Sequence, residues 1–409
     1  MLQILANVRD GAWLTPERRR VYSLMLIAAA LLYLGVLIVS ARYQTSPVEL
    51  QLGADFAQVW VAGKEVLEGK PQDAFDIAKH VARQREEFGP QAAGFGWLYP
   101  PYFLGPAALL ASLPYYAALA LWEGTTLAAY LAMIAWLARA QRLDLGAALL
   151  GSLAFPAVMV NLGNGQNGFL TATLLGAGFL ALERRPLAAG LIFALLAYKP
   201  QFALVLPLAL ILDRRWRALV GASAALAVLT VLSVAAFGLS SWGAFFESLA
   251  VTRVVVEQGG PGFGKIQSAF AAVRLLGGSA SLAYFVQSAV TAATLGALAW
   301  LWLSKADRRA KIAATLVATQ LTTPYCLDYD MMALAPALAL LVSQGEEKGY
   351  APFEKTVLAI AFVAPLLARP VAMGIGLPLG VLCVALLFCA ILRRGLPTEA
   401  FRPQSALRA

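Results

Sequence analysis

The chain of 409 residues contains few charged residues, one histidine and three cysteines. Only 13% of its residues are charged, whereas about 25% are charged in a typical soluble domain. Cys326, Cys383 and Cys389 lie in or beside apolar segments without CxxC spacing, so neither a disulfide framework nor a zinc site is indicated. The serine-hydrolase, zinc-protease and dinucleotide-binding motifs are also absent. The sole histidine, His80, lies in a charged stretch and is expected to be solvated.

Apolar residues, by contrast, dominate the composition. They make up 60% of the chain, and the mean hydropathy is +0.70, which places the chain in a lipid bilayer. The net charge of +9 comes from short basic runs between apolar segments. Such runs are typical of cytoplasmic loops that face anionic lipid, so we interpret the charge as topology and expect no nucleic-acid partner.

The basic loops predict an all-α polytopic membrane protein of about 12 transmembrane segments, with both termini in the cytoplasm. Residues 1–20 form a cytoplasmic segment, 21–394 the transmembrane domain and 395–409 a cytoplasmic tail. The domain includes external stretches at about 42–113 and about 239–280. The apolar run 21–40 is long enough to span the membrane and is interpreted as a retained first helix rather than a cleaved signal peptide.

One apolar stretch, residues 186–212, begins and ends beside cytoplasmic basic loops and must therefore turn within the membrane. The sequence YKPQ marks that turn, because Pro200 lacks a backbone N–H and disfavours helical geometry at Lys199. Each arm of about 12 residues is roughly 18 Å long, which is less than the ~30 Å hydrocarbon core. Lys199 is therefore expected inside the outer half of the bilayer.

Polar residues collect at the predicted outer ends of the segments, and each has a structural alternative. Asp55 could cap a short interfacial helix, and the sequence NGQNG, residues 164–168, could be a tight turn. Lys199 could extend to the interface rather than bind an anion, although a lysine at membrane depth costs at least ~2.5 kcal/mol. Lys265 could be solvated. Asp328, two residues before a second carboxylate, could cap the next helix or help to bind a divalent cation.

Three stretches in order resemble glycosyltransferase family 87, a family of the GT-C class of membrane glycosyltransferases. They begin with GADFAQVW at residue 53, WLYPPYFLGP at residue 97 and NLGNGQNGFL at residue 161, and the last continues through YKPQ. The resemblance implies a GT-C fold with juxtamembrane helices in the first external loop. It also implies a catalytic aspartate at Asp55 and a sugar donor linked to polyprenyl phosphate. The best-known members transfer mannose to glycolipids. This chain differs from them at TTPYCLDYDMM, residues 322–332, where a histidine-containing motif is typical.

The expected reaction follows from the resemblance and from simple chemistry. Asp55 deprotonates an acceptor hydroxyl, and Lys199, with Lys265 second, stabilises the departing phosphate. No cofactor or metal is expected, and direct attack inverts the anomeric carbon. The candidates for binding the sugar or the acceptor are Tyr99, Asn164, Gln166, Asn167, Gln201, Tyr325 and Asp328.

The expected location is the bacterial cytoplasmic membrane, with the site facing the periplasm or exterior. The partners are then the membrane, the lipid-linked donor and a lipid or glycan acceptor. Two alternatives are a transporter or flippase for a lipid-linked sugar and a scaffold without catalysis. A transporter predicts polar residues along a path to both faces, whereas the sequence places them at one face.

Overall fold

A computed structural model describes residues 2–43 and 52–396 of the chain. Residues 44–51 of the predicted first external stretch and 397–409 of the predicted tail lie outside the described residues. Within that part the chain is helical, with one isolated β-bridge. The helices are α1 Leu2–Asp10, α2 Pro16–Tyr43, α3 Ala54–Leu67, α4 Ile77–Phe88, α5 Leu104–Ala111, α6 Tyr115–Gln141, α7 Leu145–Ala154, α8 Pro156–Asn164, α9 Gly168–Ala181, α10 Pro186–Leu195, α11 Pro200–Ala203, α12 Val205–Leu212, α13 Trp216–Glu257, α14 Ala269–Leu275, α15 Ala280–Leu303, α16 Arg308–Leu321, α17 Leu334–Lys348, α18 Glu354–Ile375 and α19 Leu379–Arg393. Short 3-10 helices lie at Pro71–Phe75, Pro101–Phe103, Leu196–Tyr198 and Asp328–Ala333.

Five of the described helices, α2, α6, α13, α15 and α18, are long and apolar enough to cross a membrane. The count becomes six if α7 and α8, which are bent by 52° relative to each other, form one span. Further apolar helices of 10–17 residues are shorter than the ~20 residues that a straight span needs. The all-helical membrane architecture is therefore confirmed, while the count of about 12 spans and the GT-C fold stay predictions.

Proline causes the breaks between the shorter helices. Pro156 is the first residue of α8, and Phe155 before it has ψ 119°, which ends α7. Pro200 begins α11 in the same way, after Lys199 with φ −125° and ψ 75°. The turn that the sequence predicts at YKPQ is thus present, and it leaves Lys199 between two short helices.

The helix α13 extends beyond the span that the sequence predicts at 218–238. It continues for 42 residues, but its backbone leaves the helical region at Gly238, where φ is 79° and ψ is 161°. Only glycine adopts this conformation readily. The second half of α13 and the helix α14 occupy much of the predicted external stretch 239–280, which therefore has regular structure.

The helix α3, which lies in the stretch predicted to be external, is packed inside the protein. Most of its side chains are buried, and it lies against α5. A Cβ added to Gly63 would lie 2.1 Å from the carbonyl oxygen of Ala107, so the absence of a side chain permits this contact. The position of α3 fixes its first turn, which carries Asp55, within the body of the molecule.

Candidate active site

Two turns that contain glycine contact each other and place the first turn of α3. Gly53, with φ 71°, precedes α3, and its N–H donates to the carbonyl of Gly163 at 3.3 Å. Gly165, with φ 70°, ends α8, and a Cβ added to it would lie 2.9 Å from the Cα of Gly53. A residue with a side chain at either position would be strained in this left-handed backbone conformation and would clash with the neighbouring turn. The NGQNG segment is thus held directly against the start of α3.

The carboxylate of Asp55 is buried between two side chains from distant parts of the chain. Asp55 is 3% exposed, and its Oδ2 accepts from Gln166 Nε2 at 3.0 Å and from Lys265 Nζ at 2.9 Å. The cap position of α3 belongs to Gly53, without a side-chain hydrogen bond. The helix-capping alternative for Asp55 is therefore wrong, because the side chain binds groups outside its own helix.

The other oxygen of Asp55, Oδ1, is buried and has no hydrogen-bond partner within the described ranges. Roughly 90% or more of buried polar groups in proteins have at least one partner. An ionised carboxylate accepts hydrogen bonds at both oxygens. Oδ1 is thus an acceptor that a hydroxyl group of a bound molecule could satisfy.

Lys265 reaches Asp55 from a glycine-rich loop, residues 259–264, that is fastened to the segment before α17. The next residue, Ile266, forms the isolated antiparallel bridge with Leu327. Lys265 is 7% exposed, and its ammonium group is in the ion pair with Asp55. The alternative of a solvated lysine is therefore wrong.

Lys199 forms a second buried ion pair, with Asp330. Its Nζ donates to Oδ1 of Asp330 at 2.5 Å, and the two residues are 6% and 1% exposed. The second oxygen of Asp330 accepts the backbone N–H of Leu327 at 2.9 Å. Lys199 does not extend to the interface, so that alternative is wrong. The sequence indicated Asp330 only as a second carboxylate beside Asp328, and not as the partner of Lys199.

The ring of Tyr329 brings the two ion pairs together. The Nζ atoms of Lys199 and Lys265 lie 5.1 Å and 5.4 Å from the centre of this ring. An aromatic face attracts cations at such distances. The site therefore holds two ammonium groups close to one ring, each neutralised by a carboxylate.

A patch of aromatic residues adjoins Lys199. Asn167 Nδ2 donates to the hydroxyl of Tyr99 at 2.8 Å, and the hydroxyl of Tyr198 donates to the carbonyl of Asn167 at 3.2 Å. The rings of Tyr99 and Tyr198 lie 6.1 Å apart, and both contact Phe103. Asn167 Oδ1 is buried without a partner in the described part of the chain. Amide and ring groups of this kind suit a ligand rich in hydroxyl groups.

Asn161 and Glu123 hold the NGQNG segment from behind. Asn161 Nδ2 donates to the carbonyl of Gln166 at 3.0 Å and to Oε2 of Glu123 at 3.3 Å. Asn161 Oδ1 accepts the N–H of Gly168 at 2.7 Å. Glu123 was not among the residues predicted from the sequence, although a carboxylate within the apolar helix α6 is costly and therefore marks a functional position.

Three predicted ligand-binding residues lie apart from the network around Asp55. Asn164 Nδ2 donates to a carbonyl one turn earlier in α8, so it closes its own helix. Gln201, on α11, makes no side-chain hydrogen bond to the described residues. Tyr325 packs beside the bridge at Leu327, and burial, with the negative charge of Asp55, raises the pKa of its hydroxyl. Tyr325 thus borders the site, while the other two residues do not join its network.

Asp328 takes part in neither of the two lysine ion pairs. Its Oδ1 accepts the N–H of Tyr329 at 3.0 Å, and its Oδ2 lies 3.7 Å from Arg369. The Asp328 N–H also donates to the carbonyl of Lys265 at 3.1 Å. Burial raises the pKa of this carboxyl to about 6. Among the described residues, no group of three or more His, Cys, Asp or Glu side chains could hold a metal ion.

The expectation that His80 is solvated is wrong. Its ring is 0% exposed, and Nδ1 lies 2.9 Å from Oε2 of Glu65, which is itself buried in α3. The helix α4 buries the polar side chains His80 and Gln84 on its inner face. The charged residues around His80 in the sequence therefore did not mean that His80 itself is exposed. This pair contributes to the docking of α4 on α3.

Comparison with known proteins identifies one family. The model of "Glycosyltransferase family 87" matches residues 97–325, which is more than half of the chain. The match includes Tyr99, Asn167, Lys199 and Lys265 but ends before Asp328 and begins after Asp55. No curated protein and no solved structure matches the chain.

Proposed function

Because the chain belongs to glycosyltransferase family 87, we propose that it transfers a sugar from a polyprenyl-phosphate donor to a hydroxyl group of a lipid or glycan acceptor. The family makes it a glycosyltransferase, so the transporter and scaffold alternatives are set aside. Mannose is the sugar that the resemblance favours. The proposed location is the outer face of the bacterial cytoplasmic membrane.

Asp55 is the proposed general base, and its free oxygen is the observation that carries the proposal. Oδ1 is buried without a partner among the described residues, while Oδ2 is fixed by Gln166 and Lys265. A base must lie within hydrogen-bond distance of the proton that it removes. An acceptor hydroxyl would donate to Oδ1 and lose its proton there as the oxygen attacks the anomeric carbon.

Lys199 and Lys265 are the proposed phosphate ligands. Each is now paired with a carboxylate, and both Nζ atoms lie near the ring of Tyr329. A donor phosphate would take over these ammonium groups from Asp55 and Asp330. The transfer of Lys265 to the phosphate removes the ion pair from Oδ2 of Asp55, which keeps its hydrogen bond from Gln166. The positive charge then stabilises the phosphate as the bond to the sugar breaks.

The sugar is proposed to lie between these groups and the aromatic patch. Tyr99 and Asn167 offer a ring, a hydroxyl and an unpartnered amide oxygen in the described part of the site. Attack from the side of Asp55 and departure of the phosphate toward the lysines is an in-line displacement, which inverts the anomeric carbon. Gln166 keeps the base in place during this step.

Sugar transfer in proteoliposomes tests the proposal. The purified protein is supplied with a panel of polyprenyl-phosphate sugars, or with the corresponding nucleotide sugars, together with a total lipid extract, and products are identified by mass spectrometry. We expect a glycosylated product from a polyprenyl-phosphate sugar only. Transfer from a nucleotide sugar, or from none of the donors, would contradict the proposed donor class, and retention of the anomeric configuration would contradict direct displacement.

A further inference from the structure

The helix α18 carries a charged residue, Arg369, within a segment that is apolar enough to span a membrane. The side chain is 43% exposed, and Met373, one helical turn further along on the same side of α18, is exposed as well. This side of α18 is therefore turned away from the body of the protein, and in a helix that spans the membrane it would face lipid. A charge in a membrane helix costs about 2.5–3.5 kcal/mol on insertion scales, and such residues mark functional sites by default.

The guanidinium group of Arg369 is held only loosely. Within the described residues, its Nη1 atom lies 3.7 Å from Oδ2 of Asp328, which is beyond hydrogen-bond distance. By contrast, Arg394 donates to both oxygens of Glu354 at 2.5 Å and 2.7 Å. Arginine carries five N–H donors that suit two-point contact with a carboxylate or phosphate. Most donors of Arg369 are therefore available to a ligand.

The position of Arg369 connects the lipid-facing surface with the candidate active site. Its partner Asp328 donates a backbone hydrogen bond to the carbonyl of Lys265. The neighbouring loop also contacts α18, since a Cβ added to Gly264 would lie 2.9 Å from the Cγ of Met373. Arg369 thus lies at the side of the Lys265 loop that faces the membrane.

We propose that Arg369 binds the phosphate of the lipid-linked donor as the donor enters sideways from the membrane, before Lys199 and Lys265 hold it for reaction. The inference rests on the proposed function. The apolar tail stays along the exposed face of α18, while the guanidinium group contacts the phosphate oxygens. No covalent bond changes in this step, because Arg369 supplies binding and guides the headgroup toward Lys265.

Steady-state kinetics in proteoliposomes test this role with Arg369→Gln, Arg369→Lys and the control Arg253→Gln. Arg253 is 70% exposed and is paired with Glu257 on α13. We expect Arg369→Gln to raise the KM for the polyprenyl-phosphate sugar about tenfold or more, with kcat within about twofold of wild type. Arg369→Lys should recover part of the loss, since it keeps the charge but not the two-point contact. The control should keep both constants.

Binding measurements identify the source of the phosphate. Polyprenyl phosphate, phosphatidylglycerol and inorganic phosphate are each titrated against wild type and Arg369→Gln, with bound lipid read by native mass spectrometry. We expect the variant to lose affinity for polyprenyl phosphate selectively. An equal loss of affinity for phosphatidylglycerol would contradict the proposal, because Arg369 would then bind lipid phosphates in general. A loss of affinity for inorganic phosphate alone would also contradict it, because Arg369 would then not bind a lipid.

Two outcomes separate this inference from the proposed function. If wild type transfers sugar and Arg369→Gln keeps the wild-type KM, Arg369 has no part in donor binding, although the proposed function stands. If wild type accepts no polyprenyl-phosphate sugar, both are overturned. A fall in kcat together with melting temperature, without recovery by Arg369→Lys, would show that Arg369 only supports the fold.

Discussion

The substitution Asp55→Asn separates the proposed catalytic role of Asp55 from its role as partner of Lys265. Asparagine has nearly the same shape, but it cannot accept the proton, and general-base catalysis contributes about 10²–10⁴-fold to a rate. The substitution also leaves the ammonium group of Lys265 without its carboxylate at a position that is 7% exposed. Breaking a buried ion pair costs about 3–5 kcal/mol. The single variant should therefore lose at least about 100-fold in kcat and should melt at a lower temperature.

The double variant Asp55→Asn with Lys265→Met distinguishes the two causes. Replacing both members of a buried pair is often neutral for stability, so the double variant should melt at a higher temperature than either single variant. Because Lys265 is itself a proposed phosphate ligand, the reference for activity is the Lys265→Met single variant. Sugar transfer by the double variant, measured with saturating polyprenyl-phosphate sugar, should stay at least about 100-fold below that of Lys265→Met. Recovery of transfer along with stability would refute the base assignment, as would an Asp55→Asn rate within about tenfold of wild type.

Three further variants test the remaining parts of the site. Lys199→Met should weaken donor binding by about tenfold or more, because the phosphate loses a cation and the carboxylate of Asp330 is left unpaired; unchanged donor affinity by native mass spectrometry would rule out the phosphate role. Asp328 has a pKa of about 6 in the folded protein against an ordinary value of 3.8, so its protonation stabilises the fold by about 3 kcal/mol below about pH 4, and this contribution disappears as the pH rises through 6. The melting temperature of wild type should consequently rise, relative to that of Asp328→Asn, when the pH falls from 7.5 to 5, whereas parallel profiles would contradict the raised pKa. Gly168→Ala places a Cβ 2.6 Å from a backbone oxygen of the 3-10 helix and should cost about 1–3 kcal/mol and much of the activity. The control Gly296→Ala, where a Cβ meets nothing within 4 Å, should leave both unchanged.

Much of the fold and several members of the site could be predicted from the sequence. Apolar segments of membrane length and the proline at residue 200 predicted helices and a break that the structure contains. Lys199 stood out because a charge at membrane depth is costly. Asp55 was indicated by the family resemblance, and Lys265 was the second cation at the predicted outer ends. The structure brings these three residues together, while their proposed roles stay untested.

The rest depended on contacts between distant parts of the chain. The partners of the two lysines come from 131 and 210 residues away in sequence, and no periodic pattern encodes such pairs. Local pattern was also misleading for Asn164, where an amide in a polar segment bonds its own helix. The burial of His80 could not be predicted either, because the charged residues around it in the sequence are typical of an exposed segment.

The carboxylates that neutralise the two lysines also bear on how the enzyme releases its product. A polyprenyl-phosphate sugar carries one negative charge on its phosphodiester, whereas the polyprenyl phosphate that remains after transfer approaches two at neutral pH. The product would accordingly be held more tightly than the substrate if the lysines had no other anion to bind. Asp330 is such an anion within reach of Lys199, and Asp55 becomes one within reach of Lys265 once it has released to water the proton that it took from the acceptor. By reclaiming the ammonium groups they would displace the spent carrier lipid and return the site to a neutral state that is ready for another turnover.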